Sequence, residues 1–175
     1  MYRTVREKGL CIARRWSRGV ATEARMKELG IEIPEVVKPK GNYVSFVRVG
    51  NMAYLAGHLP MGPDGNLRTG RVGADLEVED GYEAARYCGL QLLGTMKAYL
   101  GDLDKVKRMV RVGGFVQCTE EFSKQANVLN GCSDLLGEVF QENGVHVRTA
   151  VGTSALPLDV AVEVDCIIEI DDSAA

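Results

Sequence analysis

The feature that most constrains the fold of this chain is a run near its C-terminus, residues 160–170, in which apolar residues occupy every second position. Side chains on a β-strand point alternately to opposite faces of the sheet. The run therefore predicts a strand with one wholly apolar face, packed beneath helices, and one mixed face. The apolar face comprises Val160, Val162, Val164, Cys166, Ile168 and Ile170, and the mixed face comprises Ala161, Glu163, Asp165, Ile167 and Glu169.

Two β-rich runs predict a hairpin at the start of the domain. Residues 43–49 and 52–56 are separated by Gly50-Asn51, a two-residue turn of the kind that hairpins use. A cluster of turn residues follows at 61–66, and residues 67–72 could add a short further strand.

Two amphipathic stretches predict two helices, each followed by a strand. Apolar residues recur at helical spacing over 78–99, and Gly101 is placed to end that helix. The second helix is expected to begin after Thr119, a suitable N-cap, and to close at Asn143-Gly144. The strands are predicted over 106–116, where Gly113-Gly114 indicates a bulge or a close backbone approach, and over 145–151.

This order predicts an α+β fold, a mixed sheet of about six strands with two helices packed on one face. The last two strands are expected to pair as a hairpin around Pro157. No predicted helix remains to cover the mixed face of the sheet. Exposed faces of this kind usually mark an interface, so we expect a homo-oligomer.

Composition narrows the class of protein. At 175 residues, with 46% hydrophobic and 26% charged residues, the chain has the size and composition of one globular domain. A net charge of −3 disfavours nonspecific binding to nucleic acid, and no apolar run approaches a membrane span. The five cysteines form no Cys-x-x-Cys pair and only two histidines accompany them, which predicts reduced thiols and no metal site.

The N-terminus differs from the rest of the chain. Residues 1–22 contain six arginines and lysines against a single acid, Glu7, with apolar residues at helical spacing. This pattern is typical of a mitochondrial transit peptide, although a solvated basic arm or a misassigned start codon would look the same. We therefore divide the chain into a basic extension (1–25), a short helix and extended arm (26–40), a folded domain (41–170) and a tail (171–175). The expected location is mitochondrial, otherwise cytoplasmic.

Charged residues near the C-terminus are the candidates for chemistry, because no phosphate loop, dinucleotide fingerprint or nucleophile elbow is present. Arg148 would lie beside Glu163 and Asp165 if the last two strands form a hairpin. A guanidinium can hold a carboxylate ligand through two hydrogen bonds, and a nearby acid could orient a water. An ordinary cross-strand ion pair between Arg148 and Asp165 would explain the same residues without function.

Several short motifs occur in one order along the chain, and together they resemble the RidA/YjgF family of reactive-intermediate deaminases, also described as endoribonuclease L-PSP or chorismate-mutase-like. The resemblance covers residues 41–170 and is nearest to a longer branch with a Gly-Asn-Tyr-Val opening. It implies the trimeric family fold with ligand clefts between subunits. The motifs are Gly41-Asn-Tyr43, Val49-Gly-Asn-Met52, Leu55-Ala-Gly-His-Leu-Pro60, Arg148-Thr-Ala-Val-Gly152, Ala155-Leu-Pro157 and Val162-Glu-Val-Asp165.

The resemblance implies hydrolysis of 2-imino or enamine acids to 2-oxo acids and ammonia, without a cofactor. Arg148 would grip the substrate carboxylate and Asp165 would handle the attacking water. Tyr43 would line the cleft. The further substrate-binding candidates are Gly57, Asn130 and Glu163. The expected partners are a small carboxylate substrate and two further copies of the chain, with neither nucleic acid nor membrane.

Two departures from the family pattern leave alternatives open. The family has glutamate where this chain has Asp165, and serine where it has Ala56. A carboxylate displaced by about an ångström can cost about 100-fold in rate, so a non-catalytic binder of small carboxylates is the second hypothesis. RNA cleavage is a third, less favoured by the net charge.

Four other residues have a simpler explanation. His58 and His146 could edge the cleft, the latter because it lies two residues from Arg148 and shares its face, but packed or solvated histidines are more common. Cys118 and Cys132 are expected to be inert thiols.

Overall fold

The computed structural model describes residues 22–35 and 41–171. The proposed transit peptide falls almost entirely within residues 1–21, so that hypothesis lies outside the described residues, as do residues 36–40 and the tail from 172 onward.

Three α-helices and five strands make up the fold. The helices are α1 (Thr22–Glu28), α2 (Val78–Leu100) and α3 (Gln125–Phe140). The strands are β1 (Phe46–Val49), β2 (Met52–His58), β3 (Val106–Gln117), β4 (Val147–Thr153) and β5 (Val162–Ile170). Short 3₁₀ turns precede β3, follow α3 and precede β5.

The strands form one mixed sheet in the order β1-β2-β5-β3-β4, in which only β3 and β4 run parallel. The α+β class, the hairpin at Gly50-Asn51 and the two long helices on one face are confirmed. The sixth strand is not formed, because residues 67–72 make only isolated bridges: Leu67 to Met61, Thr69 to Val160, and Val72 to both Leu76 and Cys118. Gly70, at φ 114°, interrupts the extended conformation that a continuous strand needs.

The predicted hairpin between the last two strands is wrong. β3, α3 and β4 form a parallel crossover, in which a helix connects two adjacent strands. β5 then enters the sheet on the other side of β3, between β3 and β2. Val112 on β3 consequently pairs with Arg148 on one side and with Cys166 on the other.

Helix α2 ends at Gly101, as its sequence indicates. That glycine takes the left-handed conformation (φ 76°), and its N–H donates to Lys97 O. At the other end Glu77 and Asp80 form a reciprocal capping box. The buried stripe of α2, with Leu92, Leu93 and Met96 fully enclosed, packs on α3 and the sheet.

Helix α3 does not begin after Thr119. The N–H of Thr119 donates to Val72 O, and Phe122 N–H turns back to Thr119 O, so a turn occupies this segment. The helix begins at Gln125, after Lys124. Phe122 still packs against the core, but from outside the helix.

The alternation of β5 is confirmed, since its even-numbered residues are buried beneath the helices and its odd-numbered residues are half-exposed. The opposite face of the sheet, here called the open face, has no element packed on it within residues 22–35 and 41–171. Val147 on this face is 67% exposed. The other large apolar side chains exposed there are Val47, Val49, Tyr54, Phe115 and Val151.

The N-terminal segment packs against the rest of the domain. Thr22 N–H donates to Asp104 Oδ1 (2.6 Å), and Met26 on α1 is buried. Ile31 and Ile33 of the following arm also contact the core. None of the described helices is long and apolar enough to cross a membrane.

Candidate functional site

Arg148 lies on β4 and faces α3. Its Nη1 donates to Asn130 Oδ1 (3.0 Å) and to Ser133 Oγ (2.9 Å), and its Nη2 donates to Ala126 O (3.1 Å). The parallel β3–α3–β4 crossover brings these groups together, because it lays α3 over the edge strand. The structure thus unites two residues that the sequence singled out, Arg148 and Asn130.

The guanidinium of Arg148 is held but not saturated. A guanidinium has five N–H donors, and three of them are used by α3. The Nε–H and one Nη2–H have no partner among the described residues. Because Nε and Nη2 lie along one edge of the planar group, these donors suit a carboxylate that binds with both oxygens.

The cluster contains two further residues, one absent from the candidates and one for which a packed or solvated histidine was the favoured explanation. Ser133, which was not a candidate, lies one helical turn after Asn130 on α3 and contacts both Arg148 and His146 Nε2 (3.1 Å). His146 shares the face of Arg148, as its spacing indicated, and its Nδ1 lies 2.6 Å from Gly144 O. Burial lowers the pKa of His146. The hydrogen bond to the Gly144 carbonyl opposes this shift, and the positive charge of Arg148 adds to it. The helical spacing of Asn130 and Ser133 was the signal in the sequence.

Asp165 lies elsewhere, on the open face. Its register partner is Gly113, whereas the partner of Arg148 is the neighbouring Val112, so the two side chains point to opposite faces of the sheet. The expected proximity of Arg148 to Asp165 and Glu163 is wrong within one chain. Asp165 instead forms an ion pair with Arg111 (2.9 Å), a residue that the sequence analysis had not considered.

Glu163 is the other acid of the open face. Its carboxyl group lies over Gly57, where an added Cβ atom would overlap Oε1. The structure therefore brings two more of the predicted substrate-binding residues together. Burial raises the pKa of Glu163, and the nearby charge of Asp165 raises it further. Unlike Asp165, Glu163 has no cationic partner among the residues that the structure describes.

Tyr43 is 56% exposed and lies three residues before the start of the hairpin strand β1. β1 and β4 are the two edges of the sheet, four inter-strand spacings apart. At about 4.8 Å per spacing, the two edge strands are on the order of 19 Å apart in one chain. The predicted cleft residues thus fall into two groups, one on β4 and α3 and one on the open face and in the segment before β1.

The remaining candidates are packing residues. His58 points beneath the helices, with Nδ1 2.7 Å from Ala56 O and Nε2 2.7 Å from Thr95 Oγ1. Burial raises the pKa of the Cys132 thiol to about 12, which makes it a poor nucleophile. Cys118 is also buried. Within residues 22–35 and 41–171 no cluster of three His, Cys, Asp or Glu side chains could hold a metal ion.

Comparison with known proteins identifies the family. Residues 23–170 match the family described as "YjgF/chorismate_mutase-like, putative endoribonuclease". The chain belongs to the RidA/YjgF family. The match to this family includes α1 and the arm as well as the domain from residue 41 onward.

Relatives of high similarity span nearly the whole family domain. "Protein TCP17" of Trypanosoma cruzi is 45% identical over 85% of this chain and 93% of its own length. The crystal structure of Atu1372 from Agrobacterium tumefaciens, described as a protein of unknown function, is 42% identical with a TM-score of 0.79, over 86% of this chain and 94% of that one. A crystal structure from Shewanella oneidensis, described as "a putative endoribonuclease", is 32% identical with a TM-score of 0.83, over 86% of this chain and 100% of that one.

Proposed function

We propose that this protein hydrolyses 2-imino or enamine acids to 2-oxo acids and ammonia in clefts between the subunits of a homotrimer. The observation that supports this proposal most directly is the environment of Arg148. Its guanidinium is fixed by three hydrogen bonds to α3 and keeps two N–H donors for a ligand. An immobilised planar donor pair selects a small carboxylate, because the ordering of the arginine precedes binding.

The division of the candidate residues into two groups supports a shared cleft. Arg148 lies on one edge strand, Tyr43 precedes the other edge strand, and Glu163 points away from Arg148. A second copy packed on the open face would cover its exposed apolar side chains and could bring Tyr43 and Glu163 toward the neighbouring Arg148. Burial of that apolar area would also stabilise the assembly.

Glu163 is the acid that we assign to proton transfer, with Asp165 beside it. In the proposed reaction, a water attacks the carbon of the protonated imine while the carboxylate of Glu163 takes one of its protons, which gives a neutral carbinolamine. Glu163 returns this proton to the amino nitrogen. As the C–N bond breaks and ammonia leaves, the carboxylate accepts the hydroxyl proton, the carbonyl forms, and that proton passes to ammonia to give ammonium. A raised pKa suits a group that must accept and return a proton. Asp165 is held in place by its ion pair with Arg111, and the negative charge of Asp165 helps to raise the pKa of Glu163.

The test is an amino-acid oxidase assay in which the imine formed in situ is trapped by semicarbazide. The wild-type protein should divert imine to 2-oxo acid and lower the trapped fraction. Arg148→Ala and Glu163→Gln should each lose this effect. Arg68→Ala is the matched control, because Arg68 pairs with Asp64 on a surface turn away from the cluster. Equal competition by wild type and Arg148→Ala would contradict the proposal.

A non-catalytic carboxylate binder is the second candidate, favoured by the engagement of Asp165 with Arg111 and by Ala56 in place of a hydroxyl residue. It requires that a 2-oxo acid binds in calorimetry to wild type and not to Arg148→Ala, while the oxidase assay detects no imine hydrolysis.

A further inference from the structure

A continuous series of hydrogen bonds runs from the backbone before β4 to the arginine of the site. Gly144 O contacts His146 Nδ1 (2.6 Å), and His146 Nε2 contacts Ser133 Oγ (3.1 Å). Ser133 Oγ in turn accepts from Arg148 Nη1 (2.9 Å). The series links β4 to α3 through side chains that the ligand need not touch.

The chemistry of these groups assigns every proton in the series. A backbone carbonyl only accepts, so the Nδ1 of His146 must carry hydrogen. In a neutral imidazole Nε2 is then an acceptor, and the Ser133 hydroxyl must donate to it. With its hydrogen so directed, Ser133 Oγ presents its lone pairs to Arg148. His146 therefore sets the orientation of the Ser133 hydroxyl. That orientation determines which lone pairs of Oγ face the guanidinium of Arg148.

We propose that His146 and Ser133 are positioning residues that fix the plane of the Arg148 guanidinium for carboxylate binding. This inference rests on the proposed function of Arg148 as the carboxylate anchor. Asn130 and Ser133 together use both hydrogens of Nη1, and this prevents the group from rotating and leaves Nε–H and one Nη2–H without a partner among the described residues. Loss of the serine or of its orientation would leave Asn130 as the only side-chain partner of Nη1.

The arrangement has a counterpart that lacks the arginine, and this provides a control. His58 likewise contacts the carbonyl two residues before it and a helix hydroxyl, that of Thr95. Removing either hydroxyl breaks a histidine–hydroxyl pair of similar geometry. Only the Ser133 pair contacts Arg148.

The binding experiment measures the dissociation constant of 2-oxobutanoate, a small 2-oxo acid, by calorimetry. Ser133→Ala and His146→Ala should each weaken binding about tenfold, which corresponds to one hydrogen bond. The double variant should be no weaker than Ser133→Ala, because His146 acts through Ser133. His146→Gln keeps an acceptor for the hydroxyl and should restore most of the affinity. Thr95→Ala should lower the Tm but leave the affinity unchanged.

A spectroscopic measurement tests the inference without any ligand. The ¹⁵N shifts of the His146 ring should identify Nδ1 as the protonated nitrogen, and the Arg148 Nη1 proton signals should broaden in Ser133→Ala. Protonation at Nε2, additive losses in the double variant, or an equal loss of affinity in Thr95→Ala would each overturn the proposal. Wild-type protein that shows the expected spectra but binds no 2-oxo acid would refute the proposed function, whereas 2-oxo acid binding that is unchanged in Ser133→Ala would overturn the positioning role alone.

Discussion

Arg111 Nη1 lies 2.9 Å from Asp165 Oδ1 across the pairing of β3 with β5, on the open face of the sheet. Gly113, the register partner of Asp165, has no side chain between them, and a Cβ there would lie 2.7 Å from Asp165 Oδ2. The pair is partly solvated in one chain, since its side chains are 37% and 28% exposed. It would become buried if the open face forms the subunit interface.

Arg111→Ala should therefore weaken assembly. Leaving one charge of a buried pair without its partner costs about 3–5 kcal/mol, whereas an exposed pair contributes about 1 kcal/mol or less. Sedimentation velocity should show a shift toward smaller species for Arg111→Ala and partial recovery when Asp165→Ala is added. An unchanged sedimentation coefficient for the single variant would place the pair outside the interface.

Gly57→Ala should reduce turnover while keeping the fold. The new Cβ would overlap Oε1 of Glu163, so the carboxylate must move. A displacement of about an ångström can cost about 100-fold in rate, and the oxidase assay would measure it. Gly137→Ala is the control, because a Cβ on that helical glycine enters open space. If Gly137→Ala also loses activity, the lower turnover of Gly57→Ala would reflect impaired folding rather than displacement of Glu163.

The pH dependence of kcat/KM should report Glu163. Its pKa is raised by burial and by Asp165, so the acidic limb of the profile should lie above the ordinary value of 4.5. Asp165→Asn removes the neighbouring negative charge and should move that limb to lower pH. If Asp165→Asn leaves the limb in place, another group controls the rate.

The same shift predicts a trend in stability. A carboxyl group whose pKa is raised in the fold binds its proton more tightly there than in the unfolded chain. The contribution of Glu163 to the free energy of unfolding should fall as the pH rises from 4.5 through the raised pKa, and Glu163→Gln should abolish this part of the profile. Urea titrations at a series of pH values would measure it, and identical profiles for the two proteins would contradict the shift.

His58 should affect the free energy of unfolding in the opposite sense, because its contribution is lost as the pH falls. Burial lowers its pKa below 6.5, so the unfolded chain takes up a proton before the folded one does. Stability should be fully retained above pH 6.5 and should decrease as the pH falls toward the lowered pKa. Thermal melts of His58→Gln should show a smaller decrease than wild type over this interval, with His146→Gln as the comparison for the second buried histidine.

Local patterns predicted the elements of this fold well. The alternation of β5, the Gly50-Asn51 turn and the Gly101 cap depend on neighbouring residues and are confirmed. The helix start predicted after Thr119 is wrong because Thr119 N–H pairs with the carbonyl of Val72, a residue distant in sequence, and a turn with Phe122 N–H donating to Thr119 O follows, so the helix begins only at Gln125. Competition from a long-range partner leaves no trace in the local sequence.

The site was predictable only in part, because residues meet across strands whose order the sequence does not state. Arg148 and Asn130 do meet, since a helix must cover the strand that follows it. Arg148 and Asp165 do not, because β3 separates their strands and a one-residue change of register reverses the face. Ser133 was missed because a single hydroxyl on a helix is usually a surface residue.

The place of β5 in the sheet has a consequence for how the chain is made. This strand is the last of the five to be synthesised, yet it lies between β2 and β3 and joins the N-terminal hairpin to the β3–α3–β4 unit. During translation the two halves have no shared strand, and their inner edges remain unpaired until β5 has left the ribosome. Unpaired strand edges promote association between chains. A nascent chain stalled before residue 162 should therefore depend on chaperones, while the completed chain closes its own sheet.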